Sequence, residues 1–484
     1  MNLKRFPIIS IMGHVDHGKT SLINCIKSKS KIDVEEGGIT QRTFAYYIKT
    51  SYGNFTFLDT PGHADFLLIR KRSIRIADII ILVIAADDGI MPQTIEIIEY
   101  SNKFKIPLII AINKIDKIKS NINKIKNELF NYNIISDKLG GETQFVYISA
   151  KFNKGIDKLL ESIFIQSEIM ELKYNETGLT HGIVIESYLD KKKGPVILVI
   201  LKEGFVKKGD FIVCDSEYGR VRRINSMLGN ILDIAKPFIP VEILGMSGIP
   251  KSGCRLVMVN NIKKAKNMIL KNIKKIEINK DIITKNNYKC TKELNLILKS
   301  NLQSSLEVIK NSLQKLSNEK IFLNIIKHEV GHVNENDILL SKTSNSVLIG
   351  FNTKISSDIK KIILLEKLIY VEDNIIYSLI KKIKNIIKKF CSVDNKFLSI
   401  AKILNVFKIS KKYTILGCFI KSGLFKKNNK IKIISNNLEI STSKIISIKK
   451  FKENVEEINA NSECGFCIKG CNNVKLGDII QKVD

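Results

Sequence analysis

The chain has 484 residues, 44% of them hydrophobic and 26% charged, the balance of a globular protein long enough for several cores. No apolar run approaches the roughly 18 residues of a membrane-crossing helix, and nine cysteines scattered over this length make no disulfide framework. A helical membrane protein and a small secreted scaffold are thereby excluded, and a reducing interior is expected. The formal net charge of +30 suits a polyanion, nucleic acid above all, although Lys, Ile and Asn are overused throughout, as in an AT-rich genome.

The start, MNLKRFPIISIMG, reaches the first motif at once and leaves no room for a signal or transit peptide. That motif is GHVDHGKT: Gly13, His14, Val15, Asp16, His17, Gly18, Lys19 and Thr20. It lies between an apolar run and SLINCIKS, where a buried strand is predicted to pass into a helix. The glycines let successive N–H groups form an anion-binding nest. Lys19 brings a point charge to the outer phosphates, Thr20 a hydroxyl for Mg²⁺, and the helix N-terminus its partial positive charge.

From Phe6 to about Met170 short, almost continuous apolar runs (FPIISIM, FTFLD, DIIILVIAA, PLIIAIN, QFVYIS) alternate with helical stretches such as PQTIEIIEYSNKF. Alternation of this kind predicts a parallel sheet wrapped by helices, with its ligand site at the carboxyl ends of the strands. Four more motifs fall at those ends. GGIT, Gly37 to Thr40, offers a second threonine hydroxyl for Mg²⁺ at Thr40. DTPGH comprises Asp59, Thr60, Pro61, Gly62 and His63; Asp59 can hold the metal through water and the Gly62 N–H can meet a γ-phosphate. NKID comprises Asn113, Lys114, Ile115 and Asp116, whose carboxylate can accept two hydrogen bonds from guanine that adenine cannot offer. SAK, Ser149, Ala150 and Lys151, can support the base. Each motif is weak alone; the ordered set is specific.

Beyond the first 170 residues, Gly- and Lys-Gly-punctuated short strands such as HGIVIESYLD and PVILVILKEG predict a small β-barrel. A Lys-rich helix follows over Asn261 to Asp281, its charges read as a solvated linker face. Strand and helix alternate again from about Thr291 to Ile386, and short strands return from about Asp394.

The motif set resembles the translational GTPases. GGITQRTFAYY, AADDGIMPQTIE, VIESYLDKKKGP, VEILGMSGIP, LLSKTSNSVLIGFN, FKISKKYTILGCFI and ECGFCIKG narrow this to a resemblance to bacterial-type translation initiation factor 2, from about Phe6 to the C-terminus. The long N-terminal region of many family members is not matched. The resemblance implies a multidomain α/β plus β architecture. It comprises a P-loop GTPase domain (1–170), a second-domain β-barrel (171–262), a helical linker (263–290), an α/β/α sandwich (291–376), a long connecting helix (377–393) and a C-terminal β-barrel (394–484). It implies GTP and Mg²⁺ as cofactors, and as partners both ribosomal subunits, ribosomal RNA and formyl-methionyl initiator tRNA, in a cytoplasmic monomer of a bacterium or an organelle that translates its own genome. By motif match His63 orients the attacking water, Val15 and Ile39 gate it, and hydrolysis waits for the ribosome. Initiator tRNA would meet Cys418, Lys449, Lys450, Phe451, Glu463, Cys464 and Gly465. Many relatives carry Arg and Tyr where this chain has Lys450 and Phe451, which removes a guanidinium fork and a phenol from that set.

An elongation-type GTPase is one alternative, disfavoured by the unit after Thr291. Another is a zinc protease, since His328, Glu329, Val330, Gly331 and His332 spell HExxH. That signature requires a helix, whereas IFLNIIK before it reads as a strand and Asn334 reads as the cap of the next helix. Cys464, Cys467 and Cys471, with Cys418, are close enough to suggest a metal site, but only Cys464 of the three falls on a motif, and buried thiols are the plainer reading.

Overall fold

The computed structural model describes residues 2–29, 43–117, 120–175, 178–270, 292–317, 321–353, 355–392, 399–410, 413–435, 438–451, 453–469, 474 and 476–483. They form two compact units, Met1–Ile380 and Lys381–Asp484.

The first unit opens with a six-stranded sheet in the order Phe44–Thr50, Gly53–Asp59, Ile8–Gly13, Ile79–Ala85, Leu108–Asn113, Gln144–Tyr147. Ile8–Gly13, Ile79–Ala85 and Leu108–Asn113 are buried throughout, which is why IISIMG, IIILVIA and LIIAIN carry no polar alternation. Leu22, Ile26, Leu159 and Ile163 cover one face and Ile74, Ile97, Ile98 and Leu129 the other. Neighbouring strands run parallel except Phe44–Thr50, an antiparallel edge strand that the apolar-run reading missed. Within FAYYIKT only Ala45 and Ile48 are buried, the other residues being half-buried or exposed, so it lacks the continuous apolar signature of its neighbours.

Next comes a seven-stranded antiparallel sheet that closes on itself where Phe211–Cys214 pairs with Glu217–Ser226, forming the expected barrel. Its outer residues Ile185, Leu198, Ile200 and Phe238 share a core with Ile8, Ala45, Leu58 and Ile76 of the first sheet. Residues 262–270 are helical, with Ala265 and Ile269 packed on Val213 and Val259 of the barrel. The rest of the expected Lys-rich helix lies outside the described residues.

A second parallel sheet follows in the order Ile321–Val330, Lys292–Ser300, Val347–Phe351, Tyr370–Asp373, its strands connected through helices Gln303–Gln314, Glu335–Ser344 and Ser357–Leu365. The buried carboxylate of Glu186, on the barrel strand His181–Asp190, reaches the start of helix Gln303–Gln314. It accepts from the Ser304 N–H at 3.2 Å, the Ser252 hydroxyl at 3.0 Å, the Ser187 N–H at 3.1 Å and the Ser304 hydroxyl. Burial raises its pKa above the usual carboxylate value. Helix Ile376–Ser392 leaves the end of this sheet.

The second unit is a barrel of the same strand order as the first, closed by pairing of Lys430–Ser435 with Leu438–Lys450. Its buried core, from Ala401 to Ile480, includes Leu416, Phe425, Ile448 and Phe466.

Candidate functional site: the strand-end crevice

The crevice lies past the carboxyl ends of Ile8–Gly13, Gly53–Asp59, Leu108–Asn113 and Gln144–Tyr147 in the first sheet. The chain leaves Gly13 into residues 14–18 and enters helix Lys19–Lys29. Asp16 and Gly18 have φ of +61° and +89°, and a Cβ on Gly18 would stand 2.3 Å from Asn113 Nδ2, so that turn requires glycine.

Buried Lys19 donates to the carbonyl oxygens of Gly13, at 3.0 Å, and His14. Burial lowers its pKa to about 8, partly countered by the nearby Asp59 carboxylate. A Cβ on Gly62 would lie 2.3 Å from Lys19 Nζ, so DTPGH runs directly against the phosphate loop. Thr60 fastens that approach by donating to the Ile11 carbonyl at 2.9 Å. A desolvated ammonium among main-chain carbonyls, at the foot of a helix and beside a glycine cradle, is a fitting place for phosphate oxygens. For Mg²⁺, Thr20 is the second residue of the helix and Asp59 is buried near Lys19. The expected third donor, Thr40, and the gate residue Ile39 lie outside the described residues, as do Gly37 and Gly38; Val15 is half-buried in the loop.

At the far end, Asn113 ties the loops together: its Nδ2 donates to the His17 carbonyl at 2.9 Å and its Oδ1 accepts from the Ala150 N–H at 3.0 Å. Exposed Asp116 accepts from the Ser149 hydroxyl at 2.5 Å, a bond that lowers its pKa. Lys114, at φ +62°, pairs with Asp87 and Asp88, both at 3.5 Å. Lys151 lies over the Phe152 ring at 5.3 Å. NKID and SAK are therefore tied to one another at one rim, with the Asp116 carboxylate exposed there.

His17 is wholly buried, its Nδ1 at 3.2 Å from the Val83 carbonyl, and burial lowers its pKa to about 4. Burial lowers the pKa of half-buried His63 as well. Several supports were missed from sequence. Arg70, 1% exposed, donates to the carbonyls of Pro61, His63 and Ala64 and pairs with Glu96 at 2.9 Å, bracing the DTPGH turn from below. Gln93 holds His14, and Tyr377 meets His63. Arg70 stands outside every motif, Gln93 lies in AADDGIMPQTIE with nothing to point to His14, and Tyr377 is 314 residues from His63, so local spacing carried no signal.

In the C-terminal barrel, strand Glu463–Lys469 lies between Tyr413–Ser422 and Leu438–Lys450. This sets Cys418 opposite Cys464, Glu463 opposite Phe419, and Gly465 between Gly417 and Lys449. Lys450 pairs with Glu453, and Phe451 projects from the adjoining turn, 87% exposed at φ +46°. All seven expected positions thus fall on three adjoining strands and one turn. Cys418 and Cys464 are buried, with pKa values raised by burial, Cys464 to about 12. Cys471 lies outside the described residues, and those described hold no group of three or more His, Cys, Asp or Glu placed to bind a metal. The HExxH alternative is corrected by the backbone. His328 and Glu329 belong to strand Ile321–Val330, and Glu329 is bound by Lys299 at 2.8 Å and Lys327 at 3.1 Å. Asn334 caps the following helix by accepting from the Asp337 N–H at 3.0 Å.

Three family models match the chain: the elongation factor Tu GTP binding domain over residues 4–167, elongation factor G domain 2 over 180–259 and translation-initiation factor 2 over 268–384. Translation initiation factor IF-2 of Buchnera aphidicola subsp. Schizaphis graminum (strain Sg) is 43% identical over 494 residues, covering 99% of this chain and 57% of its own length. That of Buchnera aphidicola subsp. Baizongia pistaciae (strain Bp) is 45% identical over 489 residues, covering 99% and 56%. The chain therefore spans little more than half the length of the curated relatives it matches. Among solved structures, GDP-bound aIF5B from Aeropyrum pernix shares the fold, with a TM-score of 0.51 at 21% identity over 99% of this chain and 92% of that one. With these matches laid end to end over the sheet, the barrel and the second sheet, the chain belongs to the translational GTPases, in the bacterial translation initiation factor 2 family.

Proposed function

We propose that this chain is a translation initiation factor that binds GTP with Mg²⁺, engages formyl-methionyl initiator tRNA on the small ribosomal subunit and promotes joining of the large subunit. Ribosome-stimulated GTP hydrolysis then releases it. The observation that carries the reading is the crevice itself: Lys19 against Gly62 at one end and Asp116 held by Ser149 at the other, linked by Asn113. A phosphate nest with a carboxylate reader across it selects a guanine nucleotide.

In this reading the P-loop residues Gly13 to Thr20, DTPGH, NKID and SAK bind GTP. Thr20, Thr40 and Asp59 serve Mg²⁺, which would neutralise charge on the β- and γ-phosphates. His63 orients the attacking water and Val15 with Ile39 gates it. The barrel positions Cys418, Lys449, Lys450, Phe451, Glu463, Cys464 and Gly465 receive the tRNA terminus. The working divisions are 1–170, 171–262, 263–290, 291–376, 377–393 and 394–484, in a cytoplasmic monomer. The elongation-type alternative is less supported, because the translation-initiation factor 2 model covers residues 268–384.

Filter binding with formylated and unformylated initiator tRNA, with and without GTP, tests the reading. The expected outcome is tighter retention of the formylated species that strengthens with GTP. Equal retention of both species, indifferent to GTP, overturns it.

A further inference from the structure

The His63 ring does not stand alone in the crevice. It lies against the ring of Tyr377 with centroids 3.9 Å apart and planes at 42°, and the Tyr377 hydroxyl meets His63 Nδ1. Tyr377 comes from the second residue of helix Ile376–Ser392, beyond the second parallel sheet. Its own placement is fixed from below. Asp373, the last residue of strand Tyr370–Asp373, accepts from the Ile375 N–H at 3.0 Å and from the Ser378 hydroxyl, and its carbonyl accepts from the Asn352 N–H at 3.0 Å. Ile376 and Leu379 anchor the first turn in the core, at 1% and 0% exposure. On the other side, Arg70 holds the His63 carbonyl, so the imidazole can move only by rotating its side chain.

We propose that Tyr377 is a positioning residue for His63, fixing the imidazole so that Nε2 is the ring nitrogen turned to the water at the γ-phosphate. With Nδ1 engaged by a phenol, the ring has one nitrogen to offer. Contact between the two tilted rings restricts the swing that would otherwise cost orientation in the reacting complex. The tyrosine is carried by the second parallel sheet, so a displacement of helix Ile376–Ser392 reaches the histidine directly. His63 is also within the fields of Asp65, His14, Arg70 and Asp16, with burial lowering its pKa. The proposal rests on the reading of His63 as the water-orienting residue.

The test uses the full chain with Tyr377→Phe, which removes only the hydroxyl, and Tyr377→Ala, with His63→Ala as a reference. The chain has six histidines, so ring ¹⁵N resonances in the GDP-loaded protein are assignable by difference. In Y377F the His63 Nδ1 resonance is expected to move and ribosome-stimulated kcat to fall about tenfold, with KM within a factor of two. Y377A is expected to lose at least as much. GDP affinity and melting temperature in Y377F check that the fold is intact. An unmoved Nδ1 resonance, or a kcat within twofold of the parent in both variants, overturns the proposal. If H63A retains full turnover, the role of His63 itself is overturned. That failure is distinguishable, because Y377F would still shift the Nδ1 resonance.

Discussion

The two parallel sheets of the first unit start alike and end differently. Each passes from a central buried strand into a helix, Ile8–Gly13 into Lys19–Lys29 and Lys292–Ser300 into Gln303–Gln314. In the first, residues 14–18 form a longer turn, with Lys19 at its foot bonded to the Gly13 and His14 carbonyls. In the second, only residues 301–302 intervene, and the helix start is already taken by the Glu186 carboxylate of the barrel. A helix N-terminus attracts an anion either way. Loop length and the neighbouring strand decide whether the anion is a ligand or part of the chain. On the proposed reading the first sheet receives a ligand's anion, whereas the helix start of the second is occupied by a built-in carboxylate.

The largest effect expected is on the open end. Lys19→Ala should lower GTP affinity by about 3–5 kcal/mol, the scale for stranding a buried ionic partner, as read by titration calorimetry. Melting should be little changed, since the lysine serves the ligand and not the core. A variant that still binds within tenfold would erase the contrast between the sheets.

pH separates them next, with opposite signs. His17 has a folded pKa of about 4 against 6.5, so the unfolded chain binds its proton first. Its contribution, about 3 kcal/mol, is present above pH 6.5 and lost as pH falls towards 4. Glu186 has a raised folded pKa, so its contribution is full at acid pH and lost as pH rises through that value. Hydrogen exchange followed from pH 4 to 7 should show growing protection in Lys19–Lys29 while Gln303–Gln314 loses some. Parallel trends in both helices would contradict these assignments.

Asp116→Asn should weaken guanosine nucleotides roughly 10- to 150-fold in favour of xanthosine ones, because the new amide NH₂ then faces the guanine amine, donor against donor, whereas it can donate to the xanthine carbonyl. Competition binding with the two triphosphates reads this directly. The smallest effect belongs to the sealed end. Glu186→Gln keeps shape and acceptor and should cost below about 1.5 kcal/mol by urea unfolding, whereas Glu186→Ala strands buried donors and should cost about 2–3. Equal losses in both variants would mean that the hydrogen bonds to Ser304 and Ser252 contribute nothing.

The parallel core of the first sheet was legible because strands covered on both faces leave unbroken apolar runs, as in IIILVIA and LIIAIN. The crevice was legible because its lining comes from short contiguous motifs at strand ends, which is why the meeting of Asn113 with the Gly18 turn, and of Asp116 with Ser149, could be expected from the sequence. The edge strand Phe44–Thr50 escaped because one-sided burial breaks that signature. Arg70 and Tyr377 escaped for another reason: their partners are backbone carbonyls and a distant ring, and no local pattern records either. Glu186 drew no reading from the sequence, since what it meets is Ser304 at the start of helix Gln303–Gln314, 118 residues later in the chain.

The two barrels share one strand order, yet their cores are owned differently. The first lends Ile185, Leu198, Ile200 and Phe238 to a neighbour's interior, so neither partner can melt without exposing the other. Among the described residues, the core running from Ala401 to Ile480 is made of that barrel's own side chains. On heating, the molecule should therefore come apart in at least two calorimetric events, with the C-terminal module able to unfold and recover on its own.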